Sequence, residues 1–404
     1  MLFTIAWRNI WRNRMRSWVV IGAIALGIWG VLFMIAFSLG TSTSYIQNAV
    51  ENELSHVQVH DPRFRDQYEI GYQIPDAQKL LDSVRQNPEV LATGLRTIAN
   101  GMLTSGHGAR GIRITGVDPE NEAELTHLNE KMTEGQYLSE DQKNPIVISS
   151  KLAEKLQVKV KSKVVLTFQN ETGEITSAAF RIQGLFKTNN SKMDEAGIFV
   201  LRKDLNRLLG KENMAHEMAI LLHDEKAATP FAQALAKGKP GLEILSYEAL
   251  SPEITLLKTQ IQITSTILIT IVMLALVFGI INTMLMAVLE RVRELGMLMA
   301  IGMNKLRVFG MIMMETFLLS LIAAPLGMLL GFMTVKWLGK TGINLGAWSS
   351  AMQQYGISDI IYPYMEGFLY RQLATAVVAT ALIASLYPAW KAIRLQPVEA
   401  IRKI

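Results

Sequence analysis

Two histidines are the first residues in this sequence whose types and spacing could do chemistry. His56 and His60 stand four positions apart, with Val57 and Val59 between them. On a helix this spacing would turn both imidazoles toward one metal ion. The alternating valines instead predict a strand, on which the two histidines share a face with Gln58. The pattern therefore favours a solvated strand face over a metal site.

A second candidate is the triplet Gly339-Lys340-Thr341, which matches the end of a phosphate-binding loop. Thr334 occupies the position of that loop's first glycine, and the triplet follows a long apolar run rather than a strand. We interpret the match as chance. The sequence also lacks a Gly-x-Ser-x-Gly motif and contains no cysteine, which excludes disulfides and thiolate chemistry. The chain is therefore predicted not to be an enzyme by itself and to bind no metal or cofactor.

Glu315 is a third candidate, because it lies inside an apolar run. An ionisable residue within a membrane segment is costly, so it is either functional or paired close to the membrane surface. Pro325, Gly327 and Gly331 follow in the same run and predict either a hinge or close packing between helices. Both pairs of alternatives stay open at the level of the sequence.

The elements that must position these residues are mostly membrane helices. With 50% hydrophobic and 19% charged residues in a chain of 404, the protein is too apolar for an ordinary soluble enzyme and too charged for a wholly embedded one. A helix needs about 20 apolar residues to cross the membrane core. Runs of that kind predict four transmembrane helices at 18–40, 263–289, 308–337 and 371–390.

Lysines and arginines in the short connecting segments predict the direction of these helices, because such residues resist translocation. They concentrate before the first span, between the second and third, and after the fourth, so both termini are expected in the cytoplasm. The same residues explain the net charge of +5, and no nucleic-acid partner is expected. The cytoplasmic segments are then 1–17, 290–307 and 391–404, and the extracytoplasmic ones are 41–262 and 338–370. The basic residues are Arg8, Arg12, Arg14, Arg16, Arg291, Arg293, Lys305, Arg307, Lys391, Arg394, Arg402 and Lys403.

Residues 1–17 predict an amphipathic helix at the membrane surface. Phe3, Trp7, Ile10 and Trp11 fall on one face at helical spacing. Such a helix serves as an anchor beside the lipid, as a binding element for a partner, or as both.

Between the first two spans the pattern changes to short alternating strands with amphipathic helices among them. The fold class is thus a membrane protein with four transmembrane α-helices and a large α+β extracytoplasmic domain, 41–262, between helices 1 and 2. Residues 111–200 are interpreted as a strand-rich subdomain, and Gly101–Gly111 as a flexible loop or a hairpin turn. The predicted strands are His56–His60, Gly111–Gly116, Pro145–Ser149, Val164–Phe168, Phe180–Phe186, Gly197–Leu201, Met218–His223 and Leu242–Ser246, and the predicted helices are Asp76–Gln86, Ser150–Leu156 and Lys226–Ala236.

One segment carries a specific motif. The run from Asn282 to Gly296, NTMLMAVLERVRELG, continues to Met299-Ala300-Ile301-Gly302 and resembles the signature of FtsX-like ABC transporter permeases. The opening stretch Ala6–Ser17 and the closing stretch Tyr387–Arg402 are similar to the ends of the same family. The resemblance therefore spans nearly the whole chain.

This resemblance implies that two permease subunits, equal or different, pair in the membrane and that a cytoplasmic ABC ATPase dimer docks on them. ATP and Mg would be bound by that ATPase and not by this chain. Segment 290–307 would couple the two proteins, or else be a surface loop whose charges only fix the topology. Gly296 and Gly302 would permit close approach or tight turns. The residues expected to contact the ATPase are Glu290, Arg291, Arg293 and Glu294.

For the function, the resemblance implies that ATP hydrolysis moves the periplasmic domain of a multi-pass protein of the bacterial cytoplasmic (inner) membrane. Release of lipoproteins from the membrane lipid to a periplasmic carrier is the leading hypothesis. Export of peptides or drugs through a tripartite pump with a periplasmic adaptor uses the same layout. Mechanical activation of a cell-wall hydrolase is a third alternative.

Overall fold

The computed structural model describes residues 2–188, 190–346, 352 and 356–394. Most of the predicted tail 391–404, with Arg402 and Lys403, and the part of the closing motif from Leu395 onward lie outside the described residues. In chain order the helices are α1 (Leu2–Arg12), α2 (Arg14–Ala49), α3 (Phe64–Gln67), α4 (Ala77–Arg85), α5 (Pro119–Thr126), α6 (Ser150–Leu156), α7 (Ser191–Ala196), α8 (Arg202–Leu209), α9 (Ala228–Lys237), α10 (Tyr247–Leu250), α11 (Pro252–Glu290), α12 (Val292–Ala300), α13 (Lys305–Thr341) and α14 (Gly367–Ile393). The strands are β1 (Val57–His60), β2 (Val90–Ser105), β3 (Gly108–Val117), β4 (Met132–Gly135), β5 (Pro145–Ser149), β6 (Lys163–Gln169), β7 (Ile175–Phe186), β8 (Gly197–Leu201), β9 (Glu217–Leu222), β10 (Glu243–Ser246), β11 (Ile343–Asn344) and β12 (Ile360–Ile361).

The chain divides into two compact units. The membrane unit runs up to Ser42 and takes in Lys258–Asn344 and the chain from Ile360. The sheet unit consists of Thr43–Leu257 together with Leu345–Asp359.

In the described part of the chain, four helices are long and apolar enough to span a membrane, namely α2, α11, α13 and α14. Each predicted span lies inside one of them. The ends of α13 follow local sequence: the Asn304 side chain accepts the Leu306 amide at 3.0 Å, and Gly342 adopts a φ of 73° after the last turn. Gly339–Thr341, the candidate phosphate-binding triplet, is the last turn of this helix and not a loop after a strand.

Glycines of α13 allow it to pack closely on α2. A Cβ added to Gly327 would lie 2.7 Å from the carbonyl oxygen of Ala25, and one added to Gly331 would lie 2.3 Å from Leu32 Cδ1. Helix α13 continues through Pro325 without interruption. Of the two predicted alternatives for this segment, the structure shows close packing by small residues.

Replacing Gly327 by alanine should therefore destabilise the membrane unit by about 1–3 kcal/mol, because the backbone of Ala25 has no rotamer by which to move away. Gly310→Ala in the same helix is the matched control, since a Cβ there meets nothing within 4 Å. That control should gain about 0.5–1 kcal/mol from helix propensity. Thermal unfolding of the full chain in detergent compares the two variants, and equal melting temperatures would contradict the packing.

The sheet unit is built on a ten-stranded sheet. One part of it is open, with the strand order β10-β1-β9-β2 and antiparallel pairing throughout. Helices α4 and α9 pack their apolar faces on this part, and the shared core includes Leu80, Leu81, Val84, Phe231 and Met218. These helices form where the sequence repeats apolar residues at three- and four-residue intervals.

The other part of the sheet closes on itself. The first half of β2 pairs with β9, and its second half pairs with both β3 and β6. Because β6 also pairs with β7, strands β2, β3, β8, β5, β7 and β6 follow one another in a closed ring. A closed ring leaves no free strand edge, and its interior holds apolar side chains such as Ile114, Ile148, Leu166, Phe180 and Val200. The strand-rich segment 111–200 supplies most of this ring, while β2 comes from outside that segment.

Every predicted strand and helix of the sheet unit is present, with some ends shifted. The sequence did not predict β2 or β4. Gly101–Gly111 belongs to a hairpin and is not a flexible loop: Gly101 pairs with Ile112, and Ser105 pairs with Gly108. The turn is therefore limited to Gly106 and His107.

The predicted solvated face of β1 is wrong, because the neighbouring strands bury His60 and Gln58 and half-bury His56, which precedes the strand. His60 is 2% exposed, with Nε2 at 3.0 Å from Gln58 Oε1 and Nδ1 at 3.1 Å from the His216 carbonyl oxygen. His56 Nδ1 accepts the Leu222 amide at 2.9 Å. Each of these imidazoles thus has a polar partner inside the fold, as buried polar groups require.

Burial lowers the pKa of His56, His60 and His216, and nearby carboxylates offset this only in part. Neutral His216 also accepts the Ile98 amide at Nδ1, at 2.9 Å, a hydrogen bond that a second ring proton would remove. A histidine with a lowered folded-state pKa contributes stability above its unfolded pKa of about 6.5 and loses it as the pH falls.

We therefore expect the sheet unit to open more readily as the pH drops below about 6.5. Hydrogen exchange of β2 and β9 in the full chain measures this. A His216→Asn variant keeps an acceptor near Ile98 and should show a weaker pH dependence. His107→Gln, on the exposed hairpin turn, should not change it. If the protection factors of β2 and β9 in the wild type stay constant from pH 7.5 to 5, the expectation is refuted.

Candidate functional site

The segment that connects two of the long helices forms a short helix of its own, α12. Arg291 stands between α11 and α12, and its backbone φ of −106° and ψ of 18° break the helical path. At the other end, Gly302 has a φ of 100°, a conformation that glycine adopts without strain. The chain thus runs helix, short helix, turn, helix, so that α12 is held at both ends by a long helix.

Arg291 anchors this segment through buried charges. It is only 9% exposed, and its guanidinium lies 3.4 Å from Glu315 of α13 while it donates to the Asn9 carbonyl of α1 at 3.0 Å. Glu315 is 3% exposed and has a second arginine, Arg16 of α2, at 3.5 Å. Paired and hydrogen-bonded charges of this kind are the form in which ionised groups persist away from water. The pairing alternative for Glu315 is therefore what the structure shows.

Two further ion pairs lie at the more exposed side of this cluster. Arg12 of α1 donates to both carboxylate oxygens of Glu294, at 2.5 and 2.7 Å, and Arg16 donates to Glu290 at 3.2 Å. Three arginines thus meet three glutamates, and five helices contribute to them: α1, α2, α11, α12 and α13. We call this set the coupling cluster; its members are Arg12, Arg16, Glu290, Arg291, Glu294 and Glu315.

The remaining predicted coupling residues have different environments. Arg293 is exposed on α12, Gly296 is buried, and Gly302 is exposed at the turn. The sequence-based prediction concentrated on charge and missed the apolar surface beside these residues. Met297 is 53% exposed, Ile301 84% and Leu306 74%. Their presence in a predicted cytoplasmic segment was the available signal, because exposed apolar side chains in close proximity often mark a protein interface.

A second cluster of buried charges, also missed by the sequence analysis, lies in the sheet unit. Arg96 donates to both oxygens of Glu122 on α5, at 2.9 and 2.8 Å, and to Glu217 on β9 at 2.7 Å. All three residues are at most 4% exposed. Although burial alone would raise the pKa of Glu217, the nearby guanidinium groups of Arg96 and Arg113 lower it, so this carboxylate stays ionised.

Arg96 marks the place where the open sheet meets the closed ring, because it pairs with Glu217 on β9 and with Val117 on β3. It also reaches the chain that continues from α2: its Nη1 donates to the carbonyl of Glu53 at 3.3 Å, within the π-helical turn Val50–Leu54. Isolated π-helical turns are frequent at functional sites. We call Arg96, Glu122 and Glu217 the junction cluster.

Two family models match this chain. The MacB-like periplasmic core domain matches residues 17–237, and the FtsX-like permease C-terminal region matches residues 266–397. The first covers most of α2 and most of the sheet unit, including the junction cluster. The second covers most of α11 and all of α12, α13 and α14. Both confirm the resemblance found in the sequence.

Individual relatives have low sequence identity to this chain, but they align with most of its length. A lipoprotein-releasing system transmembrane protein, LolC, of Neisseria meningitidis is 23% identical over 97% of this chain and 95% of its own length. A macrolide export ATP-binding/permease protein, MacB, of Campylobacter jejuni is 21% identical over 99% of this chain and 61% of its own. An uncharacterized ABC transporter permease of Methanocaldococcus jannaschii is 24% identical over 67% of this chain and 65% of its own. This chain thus spans less than two thirds of the last two relatives.

Among solved structures, the periplasmic region of MacB from Actinobacillus actinomycetemcomitans aligns with 52% of this chain, at 13% identity and a TM-score of 0.38. The family assignment does not depend on that likeness. It depends on the sequence models, of which the MacB-like one alone spans more than half of the 404 residues. The chain therefore belongs to the multi-pass ABC transporter permeases, with a MacB-like periplasmic core domain and an FtsX-like C-terminal region.

Proposed function

We propose that this chain is a permease subunit that transmits the movement of a separate ABC ATPase to its own periplasmic domain. One observation carries the proposal: α12 exposes Arg293 and Met297, and Ile301 directly after it is exposed as well, while Arg291 holds the helix to α13 through Glu315. A helix that is exposed on one side and fixed by buried charges on the other can be displaced by a docked partner and move its neighbours with it.

In this proposal the charged residues of the segment have two roles. Glu290, Arg293 and Glu294, each at least partly exposed, would contact the ATPase, and Gly302 would permit the tight turn into α13. Arg291 and Glu315 would instead hold α12 in register with the long helices. Buried Gly296 would let α12 lie close to its neighbours.

The topology that fits this proposal has α12 and both termini in the cytoplasm of a bacterial inner membrane, as the lysine and arginine distribution predicts. ATP and Mg would be bound by the ATPase dimer. A second permease subunit, identical or related, would complete the membrane part. The end of α2 and the junction cluster would carry motion into the sheet unit.

For the substrate, we propose lipoproteins that are extracted from the membrane and handed to a periplasmic carrier. The support is the LolC relative, which is matched along 95% of its length. The MacB relatives, named for macrolide export, support a second candidate, export of drugs or peptides through a pump with a periplasmic adaptor.

Reconstitution tests the choice between the two. The full chain, with the ATPase that co-purifies with it, is placed in liposomes that contain an acylated lipoprotein. ATP-dependent appearance of the lipoprotein in the soluble fraction, bound to an added carrier, is the expected result. The matched control is the same protein lacking its acyl chains. Absence of release, combined with ATP-dependent movement of a macrolide, would transfer the assignment to export.

A further inference from the structure

A cavity of about 340 Å³ lies beside the coupling cluster, between α1, α11, α12 and α13. Ten of its fifteen lining residues are apolar, among them Met284, Ala287, Leu298 and Met311. The other five are Asn9, Arg12, Arg291, Glu294 and Glu315. Its volume is at the lower end of the range of roughly 300–1,000 Å³ that small-molecule sites occupy. A mostly apolar cavity with a few charged side chains fits an amphiphile.

The position of the cavity along the helices indicates how deep in the membrane its ligand would lie. Its walls come from the last turns of α11 and the first turns of α13, where two apolar helices end. Helix α1, which forms another wall, carries Trp7 and Trp11 in a row of aromatic contacts that reaches Trp18, with ring centroids 6.0 and 6.3 Å apart. Tryptophans of this kind lie at the level of lipid headgroups. The cavity is therefore at the membrane surface, where phospholipids are the most abundant amphiphile.

The charges that line the cavity indicate the headgroup. Two arginines and two glutamates face it, and they are paired as Arg12 with Glu294 and Arg291 with Glu315. An anionic headgroup that binds Arg12 would leave Glu294 without its counter-charge, and a cation that binds Glu294 would leave Arg12 without one. A headgroup with both an ammonium and a phosphate offers a partner to each sign, and Arg12 with Glu294 is the half-exposed pair that it would reach first.

We propose that this cavity binds one zwitterionic phospholipid with a primary ammonium, its phosphate at Arg12, its ammonium at Glu294 and part of an acyl chain among the apolar walls. The site would join α1 to α12 through a lipid as well as through ion pairs. It does not depend on which substrate the transporter handles.

Native mass spectrometry of the full chain in detergent tests the proposal, with phosphatidylethanolamine and phosphatidylglycerol as probes. The wild type should retain one phosphatidylethanolamine through delipidation and bind it about ten-fold more tightly than phosphatidylglycerol, a difference of about 1.4 kcal/mol. Ala287→Phe places a ring in the cavity and should abolish this binding. Ala300→Phe, on the exposed side of α12, is the matched control and should leave it unchanged.

A second variant keeps the test possible if Ala287→Phe does not fold. Arg12→Gln combined with Glu294→Gln retains the shape of the cavity mouth and removes its charges, so the ten-fold preference should vanish while some lipid binding remains. Equal binding of the two lipids by the wild type would overturn the headgroup assignment. Retention of the lipid by a folded Ala287→Phe variant, as in the wild type, would overturn the site itself.

Discussion

Arg96→Met should lower the free energy of unfolding of the sheet unit by about 3–5 kcal/mol, because it leaves two buried carboxylates without their counter-charge. Glu122 and Glu217 are each 2% exposed, and Arg96 donates to both of them. Their remaining neighbours do not replace it: Arg113 is 3.7 Å from Glu217, and no ion pair with a described residue other than Arg96 is found for Glu122. The loss should therefore be among the largest that a single substitution causes in this chain.

Hydrogen exchange of the full chain in detergent measures this effect at its place in the fold. Peptides from β2 and β9 should lose protection first, since Arg96 joins these two strands. The control is the triple variant Arg96→Met, Glu122→Met, Glu217→Met, which replaces the buried charges together by apolar side chains and should recover most of the loss. If the single variant exchanges like the wild type, the junction cluster does not stabilise the sheet unit.

Glu315→Leu should have a comparable effect in the membrane unit. It deprives Arg291 of its carboxylate, and Arg291 is 9% exposed, so an uncompensated buried charge again costs about 3–5 kcal/mol. The energetic cost at Arg16 is smaller, because Glu290 remains as a partner at 3.2 Å. The melting temperature of the full chain in detergent should fall accordingly, whereas Glu290→Gln, on the more exposed side of the cluster, should change it little.

A double variant separates the structural role of this pair from its proposed role in transmission. Arg291→Met with Glu315→Leu replaces the buried ion pair by apolar side chains and should restore the melting temperature. It should still bind the ATPase but should fail to couple ATP hydrolysis to substrate release, because α12 is no longer fixed to α13 by charge. Normal coupling in a stable double variant would show that the pair serves stability alone.

The features that the sequence predicted are those determined by local pattern. The four long helices follow from long apolar runs. Strand β5 follows from the short, mostly apolar run Pro145–Ser149, whose five residues are all buried in the structure. Strand β2 did not stand out because Gly94, Asn100 and Gly101 are unfavourable in strands. The need for Gly101 is visible only in three dimensions, where a Cβ would lie 2.5 Å from the carbonyl of Thr167 on β6.

The two clusters of buried charges were even less predictable from the sequence. Arg96 and Glu217 are 121 positions apart in the sequence, and Arg291 and Asn9 are 282 apart. No periodicity connects such residues, because the pairing depends on how separate elements pack. The location of segment 290–307 was predictable from its motif. Which of its residues are exposed does not follow from the motif: the sequence predicts that Arg291 contacts the ATPase, whereas the fold leaves it only 9% exposed.

We expect the exposed surface formed by α12 and Ile301 to dock on an ATPase. Affinity purification of the full chain from native membranes, followed by mass spectrometry, tests this expectation most directly. We compare Ile301→Asp on that surface with Ile175→Asp, a residue that is 75% exposed in the sheet unit. An ABC ATPase should accompany the wild type and Ile175→Asp but should be lost from Ile301→Asp. An ATPase that remains with Ile301→Asp, or that accompanies none of the three proteins, would contradict the expectation.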